Sequence, residues 1–295
     1  MSVGEAGWCF LGLRHSSALT VPCGCGAHMS ECSLWGKLAL DPEARILADR
    51  LIRARYLHRI LWWRPEAHPD LRRFLSAASE FYHAVAAQTG AAVIVDSSKS
   101  SLFAAVLARA PGIRVHLIHM IRDLRGVVSS GQRPKAYTPV MSPRFCIQHW
   151  CRANVGAELL QNRAAGFSRV RYEDFVAHPK PMLEQLASDI RGFPVSCPFL
   201  RDGSANIQPQ HLVGSNPDKF QCGEIPLRER PPELGPVMKK VVSLAGAPLL
   251  LRYGYLSKRR SGVIAADDRL TGSVAESTAL ALAPVSDHKL ESDRI

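Results

Sequence analysis

An arginine that leaves an apolar strand, with a serine eight residues further on, can grip a terminal phosphate. The stretch around Arg122 and Ser130 has that layout. Val115-His116-Leu117-Ile118-His119-Met120-Ile121 reads as a buried strand, Arg122-Asp123 leave it, and Leu124 to about Ser130 reads as a helix. Two helical turns bring Ser130 back beside the strand end. The guanidinium supplies a planar fork of donors and the hydroxyl one more. Alternatively, Arg122 caps the sheet edge by pairing with Asp123 or Glu173.

Two further polar clusters follow apolar runs. Ala91 to Val95 ends in Asp96-Ser97-Ser98-Lys99, and Arg169-Val170-Arg171 runs into Tyr172-Glu173-Asp174. A lysine at a strand end can offset negative charge developing on a phosphate. Lys99 could equally be a helix-start lysine facing water, and Ser97 and Ser98 could cap the helix that follows. A different chemistry is open to Cys23, Cys25 and Cys32 with nearby His28, since zinc takes four Cys or His ligands. The spacing C-x-C-x6-C is not a common zinc-knuckle spacing, and packed thiols are the ordinary reading.

These residues need a frame. Helices are expected at about 41–62, 69–88 (ended by Gly90), 100–109, 124–130 and 144–165, with another from about Pro179. Strands are expected at 91–95, 115–121 and 169–172. Residues 1–40 read as loop. Alternation of strand and helix implies βαβ units and a parallel sheet covered on both faces, with ligands at the carboxyl ends of the strands. His119 is expected to be buried, and Trp62, Trp63 and Trp150 read as packing residues, although a tryptophan pair beside a cleft could line an acceptor pocket.

The chain has 295 residues, 46% hydrophobic and 21% charged, with eight cysteines expected as free thiols. Its net charge of +11 suits polyanionic partners such as a multiply phosphorylated nucleotide. No long basic tract or zinc-finger pattern points to nucleic acid. No apolar run spans a membrane and no signal peptide is legible, so the expected location is cytoplasmic. Residues 258–295 have few aromatics and read as a disordered tail, or as a tail with a short helix at about 276–283.

Taken in order, four segments resemble sulfotransferases that use 3'-phosphoadenosine-5'-phosphosulfate, of the actinobacterial type. Ile121-Arg122 through Ser130 is similar to their 3'-phosphate segment. Val95-Asp96-Ser97-Ser98-Lys99 is similar to the strand end preceding it. Arg171-Tyr172-Glu173-Asp174-Phe175 with Pro179 is similar to their Tyr-Glu-Asp motif. His211 to Phe220, with Arg252-Tyr253-Gly254-Tyr255, is similar to a C-terminal segment. The Cys-Gly-Cys-Gly stretch has a counterpart there too.

The resemblance covers roughly residues 1–256. It implies a three-layer α/β/α, P-loop-like domain over 1–257. It implies sulfuryl transfer to an acceptor hydroxyl or amine of a small molecule or carbohydrate, with no metal needed. Arg122, Ser130, Tyr172 (near the adenine), Ser98 and Lys219 would bind the nucleotide. Lys219 stands where relatives carry an arginine. Gly4-Glu5 resembles the segment after the first helix, where tyrosylprotein sulfotransferases carry their general base, so Glu5 takes that role and Lys99 assists.

One part of the pattern departs. No Gly-x-x-Arg-Ser-Gly-[Ser/Thr]-[Ser/Thr] loop is present for the 5'-phosphosulfate, and Gly12-Leu13-Arg14-His15-Ser16-Ser17 is a poor substitute. The chain is therefore expected to start one strand, one loop and one helix late, and to be weakly active or inactive. The alternative is a non-catalytic module that binds the 3'-phosphoadenosine half of the nucleotide. A kinase-like relative is disfavoured because Gly-x-x-x-x-Gly-Lys-[Ser/Thr] is absent.

Overall fold

The computed structural model describes residues 1–4, 6–7, 22–38, 64, 67–135, 139–201, 203–213, 220–227, 231–256 and 264–265. The helix expected at 41–62 and the tryptophans Trp62 and Trp63 lie outside them.

The fold is mixed α/β. Strand β1 (Ser2–Gly4) pairs in parallel with β2 (Val95–Asp96), and helix α1 (Pro69–Thr89) lies between them in sequence. Helix α2 (Ser101–Leu107) leads to β3 (His116–Ile121), then α3 (Leu124–Gln132) and α4 (Pro143–Leu160). Strand β4 (Gly166–Arg171) passes directly into α5 (Tyr172–Ala177), and α6 (Pro179–Arg191) follows. An antiparallel meander comes next: β5 (Leu200–Arg201), β6 (Ser204–Ile207) and β7 (Gly223–Pro226). Helices α7 (Pro236–Ala245) and α8 (Ala247–Arg252) precede a last strand, β8 (Ile264–Ala265).

Local chemistry explains the helix limits. Pro69 opens α1 with its fixed φ, and Gly90 closes it in the left-handed conformation at φ 62°. Asp123 caps α3 by accepting from Arg125 N at 2.8 Å. Ser142 does the same for α4, accepting from Phe145 N at 3.3 Å. The cap of α2 is Ser100, which accepts from Phe103 N at 3.2 Å, and not Ser97 or Ser98.

The sheet differs from the single parallel sheet expected. Among the described residues it forms three pieces: β1-β2, β3-β4-β8 and β5-β6-β7. Only β1-β2 and β3-β4 are parallel; β8 joins β4 antiparallel, pairing Ala265 with Ser168. That strand comes from the stretch expected to be disordered. The start of the chain, expected as loop, forms β1. Its three residues are too few for any period to show.

Among the described residues, two clusters hold most of the buried apolar side chains. The first joins α1 and α2 to the 22–38 segment through Leu71, Phe74, Phe81, Val106, Leu34 and Trp35. The second sits beside β3 and gathers Ile121, Leu124, Val128, Trp150, Leu250 and Tyr253. Gly166 is required opposite His116, because a Cβ there would lie 2.2 Å from the imidazole Nδ1. Among the described residues, no helix is long and apolar enough to cross a membrane.

Candidate functional site

The register of β3 and β4 decides where the two main motifs meet. Ile121 pairs with Arg171, the last pair of the ladder. Arg122 and Tyr172 therefore step off adjacent parallel strands side by side. The Arg122 Cζ lies over the Tyr172 ring, 4.6 Å from its centroid, within cation–π range. Tyr172 was expected in a strand; it is the first residue of α5.

The backbone at this point is fixed from both sides. Trp150 Nε1 donates to the Arg122 carbonyl at 2.9 Å, and Asp123 N donates to Glu173 Oε1 at 3.0 Å. Tyr255 Oη donates to Glu173 Oε2 at 2.6 Å and to the Ile121 carbonyl at 3.3 Å. Burial, and then the bond to Glu173, push the Tyr255 phenol well above its ordinary range, so it stays a donor. The carboxylates that could have neutralised Arg122 are engaged elsewhere. Arg125 pairs with Asp123 through Nε at 2.9 Å and through Nη2, while Glu173 serves Tyr255 and Asp123 N. The sheet-edge capping alternative is thus not what the described contacts show.

Arg122 also runs along the first turn of α3. A Cβ on Gly126 would come 3.3 Å from its Nε and 3.8 Å from its Nη2. Ser130 is four residues beyond Gly126, on the same helix face one turn further on. The guanidinium thus lies along Gly126 near the carboxyl end of β3, and Ser130 follows one turn on from that glycine. Ser129 points elsewhere, accepting from Glu233 N at 3.0 Å.

The second cluster surrounds Asp96. Its carboxylate accepts from Gly7 N at 2.8 Å, from Ser98 N at 2.7 Å, and from the hydroxyls of Ser98 and Tyr82. Ser98 is buried with its hydroxyl committed to Asp96, so its first role is to shape this turn. Lys99 is exposed and holds a left-handed φ of 58°, rare for a residue with a side chain. Gly7 packs against this turn, where a Cβ on it would lie 2.7 Å from Ser98 Oγ, and Ala6 beside it is buried. Glu5 itself and Lys219 lie outside the described residues.

The cysteines form a third cluster. Cys23, Cys25, Cys32 and His211 place one ligand atom each within 4.8 Å of one another. Burial, with the neighbouring thiols adding to it, pushes the Cys23 thiol up to about 12. His28 is exposed and outside this group; the imidazole that joins it, His211, lies 179 residues beyond Cys32. Proximity in sequence suggested His28, and only the fold reveals His211.

Two residues of the first cluster gave no isolated sequence signal as site residues. Gly126 lies against the Arg122 side chain and Trp150 holds its carbonyl, and these roles depend on how the chain folds around Arg122. Compared with protein-family models, curated proteins and solved structures, the chain matches none.

Proposed function

We propose that the carboxyl ends of β3 and β4 hold the 3'-phosphoadenosine half of 3'-phosphoadenosine-5'-phosphosulfate, and that the chain is a sulfotransferase-like protein of the three-layer α/β/α kind, whose transfer activity is weak or absent without a 5'-phosphosulfate loop. The observation that carries this reading is the placement of Arg122 over Tyr172 and along Gly126, with Ser130 one helical turn further on. Two segments about fifty residues apart in sequence, each similar to a nucleotide-binding motif of that family, converge at one point. That convergence also suits a phosphate: a fork of donors held by backbone bonds, a hydroxyl on the same helix face, and no competing ion pair from Asp123 or Glu173.

The roles follow from these positions. Arg122 binds the 3'-phosphate, and Ser130 adds a neutral donor. One face of Tyr172 is taken by the guanidinium, which leaves the other for the adenine. Lys99, at the end of β2, offsets charge on the 5' side. In the transfer itself the acceptor oxygen or nitrogen forms a bond to sulfur. The bond from sulfur to the bridging oxygen breaks, and its electron pair leaves on 3',5'-adenosine bisphosphate. The acceptor proton goes to a base, for which Glu5 is the candidate.

The test is calorimetric titration of the full chain with 3',5'-adenosine bisphosphate, beside Arg122→Ala. Charge-assisted hydrogen bonds contribute roughly 1.5–3 kcal/mol each, so the variant should bind about ten- to a hundredfold more weakly. No binding at millimolar ligand by a folded chain, or equal binding by the variant, would refute the site. Binding with no sulfuryl transfer to any hydroxyl or amine acceptor would reduce the reading to a nucleotide-binding module.

A further inference from the structure

We propose that Cys23, Cys25, Cys32 and His211 bind one zinc ion, which staples the 22–38 segment to the chain around residue 211. This goes beyond the nucleotide reading and does not depend on it. The distances fit a tetrahedron. Cys32 Sγ lies 3.6 Å from Cys23 Sγ and 3.9 Å from Cys25 Sγ. Ligand bonds of about 2.3 Å to sulfur in a tetrahedral site put two sulfurs about 3.8 Å apart. His211 Nδ1 is 3.2 Å from Cys32 Sγ and 4.0 Å from Cys23 Sγ. These bracket the separation of about 3.6 Å that tetrahedral S and N ligands require. A disulfide is excluded at 3.6 Å, since its sulfurs sit about 2.05 Å apart.

The surroundings hold the four groups in place. The 22–38 segment turns tightly: Gly26 N donates to the Cys23 carbonyl at 2.8 Å, and Gly26 takes φ 90°. Cys23 N donates to the Ala27 carbonyl and Cys32 N to the His28 carbonyl, each at 2.8 Å. The partner segment is docked by Gly24 N on the Leu212 carbonyl at 3.0 Å and by Trp35 Nε1 on the His211 carbonyl at 3.1 Å. Gly24 must be glycine here, because a Cβ would lie 2.5 Å from the Gln210 carbonyl oxygen. Cys23 and Cys32 are buried at the edge of the first core, while Cys25 is exposed and gives the ion its way in.

Four protein ligands leave no open position, so the ion is structural and not catalytic. On binding, Zn²⁺ replaces the three thiol protons, which pass to solvent. His211 binds as the neutral tautomer with its proton on Nε2. Cys32 and His211 are 179 residues apart, so the ion closes a long loop and its binding free energy adds to folding.

The test uses the full chain produced in zinc-supplemented medium and purified without chelator. Elemental analysis should find one zinc per chain. His211→Ala and Cys25→Ser should lose it, while His28→Ala and Cys222→Ser should keep it. The wild-type chain needs no variant to fold: a chelator should strip the zinc and lower its thermal midpoint, and cobalt should then restore the midpoint with the visible bands of a tetrahedral thiolate site. A metal-free chain whose midpoint ignores added zinc would overturn the proposal. So would retention of zinc by His211→Ala with its loss in His28→Ala.

Discussion

Arg122 and Tyr172 are neighbours because β3 and β4 end in register. The Ile121–Arg171 pair closes the ladder, and the next residue on each strand turns out together, with the guanidinium 4.6 Å from the ring centroid. A shift of register by one residue would send one of the two side chains to the opposite face. The pairing of strands therefore brings the two motifs together.

Tyr172→Leu should weaken binding of 3',5'-adenosine bisphosphate. Stacking of a base on an aromatic ring is worth about 1–3 kcal/mol, or roughly 5- to 150-fold in affinity, and the Arg122 guanidinium would also lose the ring that positions it. Tyr172→Phe keeps the ring and should stay close to the parent. Titration of both variants checks this, and equal affinities for Leu and Phe would separate the ring from the site.

Gly126→Ala offers a test in which stability and binding part. Alanine in a helix interior is favoured over glycine by about 1 kcal/mol, so the thermal midpoint should hold or rise. The new Cβ would sit 3.3 Å from Arg122 Nε, tight enough to push the guanidinium off its path. Affinity for the bisphosphate should fall several-fold. A variant that is more stable and binds equally well would show that Arg122 does not depend on this face.

Asp96 joins three parts of the chain through one carboxylate: Gly7 near the start, Tyr82 on α1, and the turn at Ser98. Each carboxylate oxygen faces one backbone N–H, from Ser98 or from Gly7, which can only donate, and one hydroxyl. Asp96→Asn turns an NH2 toward donors and should cost roughly 2–3 kcal/mol in chemical denaturation. It should also loosen the Lys99 turn. Equal denaturation midpoints for the variant and the parent would mean that these bonds contribute nothing net.

Legibility in the sequence tracked how local each feature was. Helix α1 was readable because Pro69, its apolar face and Gly90 lie within one element. Strand β3 with Arg122 and Ser130 was readable for the same reason. Strand β1 was missed because Ser2–Gly4 is too short for alternation, and the β5–β7 meander because its strands of two to four residues mix polar with apolar. The cap at Ser100 was placed two or three residues early, since any of three serines could have served. His211 joins Cys32 across 179 residues, a contact that no spacing rule reports.

Acid should destabilise the chain through His119. The imidazole is buried beside β4: Nε2 is 2.8 Å from Asn154 Oδ1, Phe167 and Tyr253 flank the ring, and Arg169 and Glu158 lie near. Burial lowers its pKa, and the Arg169 charge lowers it further, against the bond to Asn154 and the charge of Glu158. The folded value is thus below the unfolded one, which is near 6.5. Below about pH 6.5 the unfolded chain takes a proton that the folded chain resists, so stability is full above that pH and falls as pH drops toward the folded value. His116, also lowered mainly by burial, adds the same sign. Urea midpoints measured from about pH 7.5 down to about pH 5 should decline, and His119→Gln should decline less steeply from a lower start. An unchanged slope in that variant would mean that the proton taken up on unfolding belongs to another group.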